Sequence, residues 1–484
     1  MPWWVLKKKL YISWLITILC GAIFIGIFLA QYIKNFYFSS VSCLIVAVFL
    51  VAIVLWKKCI YLIPLLIIGG VLFGLWRGSI SQNELTLFQP FYNRVVSIQG
   101  TVKDDVDTGT SDQIIIRLDG LIINNKKMSG VLWISATNAD IKRGDKLLLH
   151  GLLKSGFGNF AGVIYRANID KIIHPQPGDI ARVVRDWFAD AVRHSIPEPE
   201  SSLGLGYLVG QRRALPADLV LALQVAGLTH VVVASGYNLT ILVRLARRLF
   251  VKVSKYLAAL SASLMIVIFI AITGLSPSMS RAGLVAGLSL AAWYYGRKFH
   301  PIVLLMFAIA VTVLINPSYA WGDLGWQLSF AAFAGVMIIA PLMQCYLFGD
   351  EKPGAVRQIL GETISAQLAT APIIILAFGQ FSNVAIVSNL LILPLVPLAM
   401  LLTFISGFGA LILPSVAVII GLPAMWLLNY MVTVTEFLAN LPWAASKVDA
   451  RLWEVGIYYL ILIGVCVYIW RITKFKLRDA NLVE

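Results

Sequence analysis

The stretch LYISWLITILCGAIFIGIFLA, Leu10–Ala30, contains no charged residue and is long enough to cross a membrane as a helix. Such a crossing takes about 20 residues, because the hydrocarbon core is about 30 Å thick. The whole chain of 484 residues is similar in character: 59% of it is hydrophobic, only 13% is charged, and the mean hydropathy is +0.84. Soluble domains carry roughly 25% charged residues. The composition therefore predicts a polytopic α-helical membrane protein.

About twelve segments are long and apolar enough to be spans. Three precede residue 78 and nine follow residue 229, which leaves a more polar region between the two groups. The stretch 384–412 is long for one crossing and contains Pro394 and Pro397, so we expect a kink or a break there. The predicted spans are Leu10–Ala30, Phe36–Trp56, Cys59–Trp76 and residues 230–249, 256–274, 279–296, 301–316, 326–347, 363–380, 384–412, 414–440 and 453–471.

Basic clusters give the orientation of these spans. The formal net charge is +15. Cytoplasmic loops carry an excess of Lys and Arg, and all five clusters fall on one side if the N-terminus is cytoplasmic. We therefore expect both termini in the cytoplasm and residues 80–175 outside the cytoplasmic membrane. The clusters are Lys7–Lys9, Lys57 with Lys58, residues 244–255, Arg297 with Lys298, and residues 474–478.

Residues 94–174 have the pattern of a small all-β domain. Segments such as QIIIRLDGLII and GVIYRANIDKII are rich in β-branched residues, and turn sequences such as NNKK and KRGD separate them. About five strands of this length predict an OB-like barrel, inserted between the membrane regions.

OB-like barrels bind single-stranded nucleic acid through aromatic and basic side chains. The region 81–175 carries eleven Lys or Arg and nine Asp or Glu, so its charge favours such binding only weakly. A structural barrel with aromatic core residues is the alternative. The candidate contacts in this outer domain are Trp133, Arg143, Lys154, Phe157, Phe160 and Arg166, with Tyr165 beside them.

The stretch PGDIARVVRDWFADAVRHSIPEP has apolar residues at helical spacing and arginines on its other faces. This pattern is typical of an interfacial amphipathic helix, and equally of a helix packed on the barrel or the bundle. The predicted regions are residues 1–78 as an N-terminal three-span region, 80–175 as the OB-like domain, 176–200 as the amphipathic helix, 201–474 as a transmembrane channel domain, and 475–484 as a cytoplasmic tail.

Polar residues interrupt several predicted spans, for example in THVVVASGYNLTILV, residues 229–243. Lipid offers these groups no hydrogen bonds, so they need protein partners or a wet cavity. They are either contacts between helices or the lining of a shared polar passage, and both alternatives stay open. Arg281 and Asp323 sit near the outer ends of their spans and could form a pair. The candidates for lining or gating are Ser235, Gly236, Asn238, Thr240, Ser278, Arg281, Asn316, Asp323, Gln327, Ser329, Gln367, Thr370 and Asn389.

The sequence motifs of several kinds of enzyme and metal site are absent from these 484 residues. There is no P-loop sequence, no HExxH or HxHxDH, and no CxxC pair, so we expect no ATP motor, no metal site and no cofactor. A Ser235–His300 hydrolase pair is a poor candidate, because His300 belongs to the predicted inner edge of the membrane. We expect no catalytic residues.

Four segments resemble the ComEC family of competence proteins in their order and spacing: GLTHVVVASGYNLT, TGLSPSMSRAGLVAG, INPSYAWGDLGWQLSFAAFAGVMIIAP and SAQLATAPIIILAFGQFSNVAIVSNLLILPLVPLAM. SGFGNFAGVIYRANI is similar to the end of that family's OB-like domain. One position departs from the family, where Tyr237-Asn238 stands in place of the usual Leu-His. Asn can donate and accept hydrogen bonds, as His can, but it does not titrate near neutral pH.

The resemblance implies a channel that passes single-stranded DNA inward across the cytoplasmic membrane during natural transformation. Many members also carry a metallo-β-lactamase-like domain. This sequence has no such histidine motif and resembles the short, channel-only members. The partners implied are single-stranded DNA, membrane lipid, a cytosolic helicase and single-strand-binding proteins, an outer DNA receptor and a separate nuclease. The alternative function is secondary transport of a small polar or anionic solute.

Overall fold

The structure, a computed structural model, describes residues 11–33, 36–108, 113–137, 139–176, 178–211, 215–232, 236–274, 276–297, 300–349, 351 and 353–474. The chain forms two compact units. The first consists of Met1–Asp179 with Ile302–Gln327, and the second of Ile180–Pro301 with Leu328–Glu484. The finer five-part division stays a prediction.

The described residues are mostly helical. In chain order the helices are α1 (Ile12–Leu29), α2 (Val41–Lys57), α3 (Ile63–Thr86), α4 (Ile180–Ser195), α5 (Glu200–Val209), α6 (Ala217–Val225), α7 (Thr229–Val232), α8 (Gly236–Phe250), α9 (Lys255–Thr273), α10 (Pro277–Tyr294), α11 (Pro301–Ile315), α12 (Tyr319–Gly322), α13 (Leu324–Ala334), α14 (Ala340–Phe348), α15 (Ala355–Phe378), α16 (Ala385–Ile392), α17 (Val396–Ile412), α18 (Ala417–Ala439) and α19 (Leu452–Thr473).

The described residues also contain nine strands. They are β1 (Arg94–Val102), β2 (Asp107–Thr108), β3 (Gln113–Ile123), β4 (Lys126–Met128), β5 (Leu132–Thr137), β6 (Lys146–Ser155), β7 (Gly162–Ile173), β8 (Gln380–Ser382) and β9 (Ala445–Lys447).

Eight helical segments among the described residues have the length and hydropathy of membrane spans, and α2 and α11 are shorter apolar helices. The protein is therefore a multi-pass helical membrane protein, whereas the count of twelve spans stays a prediction. The eight are Ile12–Leu29, Ile60–Phe91, Lys255–Thr273, Leu324–Phe348, Val356–Phe378, Ala385–Ile412, Pro414–Ala439 and Leu452–Thr473.

One predicted span differs in detail from a continuous helix. The stretch 384–412 is divided into α16 and α17 by the 3₁₀ turn Leu393–Leu395, at the position of its prolines. The stretch 230–249 contains the described helices α7 and α8, and residues 233–235 between them lie outside the described residues.

Helices α1 and α3 of the first unit cross with their backbones in contact. A Cβ atom added at Gly26 would lie 2.2 Å from the carbonyl oxygen of Val71, and one added at Gly74 would lie 2.3 Å from that of Ile23. Small residues allow this close approach, which is a common way for helices to associate in membranes.

We therefore expect a Gly74→Val variant to separate α1 from α3 and to lower the free energy of unfolding by about 3 kcal/mol. Thermal unfolding in detergent, together with the amount of protein inserted in the membrane, measures this effect. Gly464→Val in α19 is the matched control, because no atom of the described residues outside its chain neighbours and its own helix backbone lies within 4 Å of a Cβ added there. Equal unfolding of the two variants would contradict the proposed role of the crossing.

The predicted small sheet domain belongs to the first unit. Its five long strands form a closed cycle of pairings: β1 with β3, β3 with β5, β5 with β7, β7 with β6, and β6 with β1. Only the β5–β7 pair of this cycle is parallel. Alternate residues of β3, such as Ile114, Ile116 and Leu118, are buried in the core. This alternation places the polar residues of the strand on the outer face.

The centre of the second unit is α5, in which nine of the ten residues, Ser201 to Val209, are buried. It packs against α17, where a Cβ atom added at Gly204 would lie 2.6 Å from the Thr403 hydroxyl. Glycine and other small residues in ESSLGLGYLV make this buried position possible, since large side chains would keep the helices apart.

The amphipathic segment forms helix α4, which packs on α17 and α18 of the same unit. A Cβ atom added at Gly407 would lie 2.5 Å from the Phe188 ring, and one at Gly421 would lie 2.2 Å from the Ser195 carbonyl oxygen. Its opposite face exposes apolar side chains, including Val183 and Trp187. Packing on the bundle is thus observed, and an interfacial position for the exposed face stays a prediction.

Candidate functional site

Arg281 lies in the second turn of α10 and is held by α13. Its Nε atom donates a hydrogen bond of 2.8 Å to the Ser329 hydroxyl. Its guanidinium carbon is 5.1 Å from the ring centroid of Phe333 and 5.8 Å from that of Phe330. The rings stabilise the cation and fix its direction.

The guanidinium is also close to the first residue of α8. A Cβ atom added at Gly236 would lie 3.2 Å from Nη2 of Arg281. In the part of the chain that the structure describes, no Asp or Glu lies within 4.0 Å of this guanidinium. A positive group without an acidic partner in the described residues is a favourable binding partner for an anion.

Asp323 has other partners, all in the first unit. Its Oδ1 accepts a 2.7 Å bond from the backbone N–H of Trp326, which caps α13, and its Oδ2 accepts a 2.7 Å bond from Nδ2 of Asn159. Beside it, a Cβ atom added at Gly322 would lie 2.3 Å from the Gly158 backbone. The carboxylate therefore fixes the loop between β6 and β7. Asp323 and Arg281 each have other polar partners, so the contacts described here do not require the predicted Arg281–Asp323 pair.

Asn238 is fully buried and joins three helices of the second unit. Its Nδ2 donates to the carbonyl oxygen of Tyr207 in α5 at 2.9 Å and to that of Val231 in α7 at 3.5 Å. Thr240 and Thr370 donate to carbonyl oxygens four residues earlier in their own helices. Asn238 therefore connects helices, whereas the described hydrogen bonds of Thr240 and Thr370 stay within their own helices, and a lining role for the three residues stays a prediction.

Gln367 and Asn389 differ because each has a buried oxygen without a hydrogen-bond partner among the described residues. The amide nitrogen of each residue can donate a hydrogen bond. Nε2 of Gln367 donates one to the Ser382 carbonyl oxygen at 3.3 Å. Their Oε1 and Oδ1 atoms are left as acceptors. Unpaired buried acceptors of this kind call for water or a ligand.

The remaining predicted residues are dispersed. Asn316 accepts a 2.7 Å bond from the Ser318 hydroxyl within one turn, and Ser278 and Gln327 are half-buried. Ser235 lies outside the described residues. The structure thus brings Gly236, Arg281 and Ser329 together.

A second group of side chains lies on the outer face of the sheet domain. The ring centroid of Trp133 on β5 is 5.6 Å from that of Tyr165 on β7 and 6.0 Å from that of Phe157, and Phe160 is 5.3 Å from Phe157. Nζ of Lys154 is 5.6 Å from the Tyr165 centroid. Tyr165 and Phe157 are 54% and 52% exposed, so they are surface residues and not part of the core. We call these five residues the outer aromatic cluster.

The two arginines predicted beside this cluster differ in environment. Arg166 is exposed and has a φ angle of 53°, at an irregular point of β7. Arg143 is only 7% exposed, and its Nε donates to Asp179 at 2.6 Å. This buried ion pair gives Arg143 a structural role, which argues against its prediction as a DNA contact.

Comparison with known proteins identifies the family. Residues 207–472, more than half of the chain, match the family described as competence protein. The chain belongs to the competence protein family. Over 216 residues it is also 24% identical to ComE operon protein 3 of Bacillus subtilis (strain 168). That match covers 44% of this chain and 27% of the relative, so the chain spans well under two thirds of the relative's length. No solved structure matches it.

Sequence reasoning missed two serines within the matched region of this competence protein. The Ser382 and Ser388 hydroxyls each donate a 2.6 Å bond, to the carbonyl oxygens of Val225 and Ala226 at the end of α6. Both serines are polar residues beside or within an apolar run. The same pattern made Asn389 a candidate lining residue. Their partners lie more than 150 residues away in the chain, so the sequence could not reveal the contact.

Proposed function

We propose that this competence protein forms the channel through which single-stranded DNA crosses the cytoplasmic membrane during natural transformation. The main support is the position of Arg281 beside Ser329 and Gly236, with no Asp or Glu within 4.0 Å of its guanidinium in the described part of the chain. Each nucleotide carries a negative phosphate, and Arg matches the geometry of phosphate oxygens. Family membership adds support, because competence is the ability to take up DNA.

A channel for a polyanion must be wet and must release what it binds. A charge left in hydrocarbon is prohibitively unstable, and weak contacts at several sites suit conduction. The proposed lining combines one arginine with hydroxyl and amide groups. The unpaired oxygens of Gln367 and Asn389 are acceptors, so they suit water or the amino groups of bases. Arg281 and Ser329 suit the phosphates.

We further propose that the sheet domain is an OB-like barrel that guides the strand toward the membrane. The closed cycle of five strands with a single parallel pair supports this topology. The outer aromatic cluster offers ring surfaces on which bases stack, at about 1–3 kcal/mol for each base. Lys154 and Arg166 would contact the phosphates, and Arg143 is left out of the contact set.

The proposed arrangement has twelve spans, both termini in the cytoplasm and the barrel outside. Its function is transport without catalysis. The proposed partners are a cytosolic helicase with single-strand-binding proteins to pull the strand, an outer receptor to deliver DNA, and a separate nuclease.

Deletion of the gene tests the proposal. We expect import of labelled DNA into the cytosol to fall to background and a plasmid-borne copy to restore it. Normal DNA import in the deletion strain would refute the channel. A simultaneous defect in uptake of a small polar solute would then favour secondary transport.

A further inference from the structure

Basic and aromatic side chains gather where α8 ends, α9 begins and α10 ends. In α10, Arg281 lies near the first residue and Trp293 near the last. In α8, Gly236 is the first described residue and Arg247 lies near the last, so this region is separate from the Arg281 site. We call it the basic–aromatic cluster. Its members are Arg244, Arg247, Arg248, Lys252, Lys255, Trp293, Tyr294, Tyr295 and Arg297.

Ring contacts hold two of the cations in place. The guanidinium carbon of Arg247 is 5.1 Å from the Trp293 centroid, and Nζ of Lys255 is 5.7 Å from the same centroid. Lys255 also lies 5.5 Å from the Tyr294 centroid, and Tyr294 meets Tyr295 edge to face at 5.3 Å. These contacts pre-position the positive charges.

The cluster has no negative charge of its own. From residue 219 to residue 322 the sequence contains no Asp or Glu. Within the described parts of the chain, no cation of the cluster lies within 4.0 Å of a carboxylate. Since neighbouring cations repel one another, an anion from outside the chain would stabilise them.

Exposed apolar side chains surround these cations. Leu249 is 64% exposed, Val253 73% and Tyr256 62%. Aromatic rings, Lys and Arg mixed with exposed aliphatic residues are typical of the membrane–water interface. A lipid headgroup satisfies the cations while its acyl chains cover the apolar side chains.

Single-stranded nucleic acid fits the cluster less well. Base stacking needs an open ring face. Trp293 already has both Arg247 and Lys255 over its ring. Nucleic acid would also leave Leu249 and Val253 uncovered.

We propose that the basic–aromatic cluster binds the phosphate groups of anionic phospholipids. The bound lipid fixes the ends of α8 and α10 at the membrane surface. This site is distinct from the proposed DNA passage and does not depend on it.

The test compares lipid binding by purified full-length protein in detergent, using native mass spectrometry with phosphatidylglycerol and phosphatidylcholine. In an Arg247→Gln/Lys255→Gln variant we expect affinity for phosphatidylglycerol to fall about tenfold, since each cation near an anionic headgroup contributes to binding. Affinity for phosphatidylcholine should not change. The matched control is Arg357→Gln/Lys447→Gln, which removes two exposed cations elsewhere in the second unit.

If the double variant fails to fold, Arg244→Gln/Arg248→Gln replaces it, because both of these side chains are exposed. Unchanged phosphatidylglycerol binding in a folded variant would overturn the proposal. A labelled single-stranded oligonucleotide provides the second probe. Loss of oligonucleotide binding with unchanged lipid binding would assign the cluster to nucleic acid instead.

Discussion

An Arg281→Gln variant is expected to import labelled DNA at least about tenfold more slowly than the wild type, because a hydrogen bond to a charged group contributes about 1.5–3 kcal/mol. Gln can still donate to Ser329, but it carries no charge for a phosphate. The amount of protein in the membrane should stay normal. Among the described residues no Asp or Glu lies within 4.0 Å of Arg281, so the substitution removes no ion pair between them. Import of labelled DNA into the cytosol is the measurement.

Two further variants make this prediction specific. Arg357→Gln removes an exposed arginine that also lies over a ring, 4.5 Å from the Phe348 centroid, and should leave import unchanged. Arg281→Lys keeps the charge without the planar fork and should be intermediate. If Arg281→Gln imports DNA at the wild-type rate, the proposed anion site is not part of the proposed passage.

An Asn238→Leu variant is expected to be less stable than the wild type, and any loss of DNA import is expected to follow from that lower stability. The substitution removes the donor to the carbonyl oxygens of Tyr207 and Val231 in a fully buried position. A buried group left unsatisfied costs about 1–3 kcal/mol, so we expect the free energy of unfolding to fall by about 3 kcal/mol. Thermal unfolding in detergent measures the loss.

Thr240→Val is the matched control, because the Thr240 hydroxyl is exposed and its partner among the described residues, the Gly236 carbonyl oxygen, lies in its own helix. This variant should unfold like the wild type. An Asn238→Leu protein with normal unfolding and poor DNA import would instead place Asn238 in the lining of the passage.

The sequence predicted the features that depend on local pattern. Apolar runs without charge predicted the helices, β-branched segments with turn residues predicted the sheet domain, and the prolines of 384–412 predicted the division of α16 from α17. These features follow from hydropathy and backbone geometry over a few neighbouring residues.

The partners of individual polar residues could not be predicted in the same way. Asn238 bonds to Tyr207, 31 residues away, and Arg281 bonds to Ser329, 48 residues away. Arg143 looked like a surface cation until the fold paired it with Asp179. Each of these contacts depends on how helices and loops pack, which a single sequence does not specify.

The backbone contact between Gly158 and Gly322, closed by Asn159 and Asp323, has a mechanical consequence. Phe157 and Phe160 flank this contact, so the loop that carries them cannot bend freely away from α12. If a DNA strand stacks on these rings as proposed, a pulling force on that DNA would pass through the loop into α12 and α11. The force would not be lost through movement of the loop.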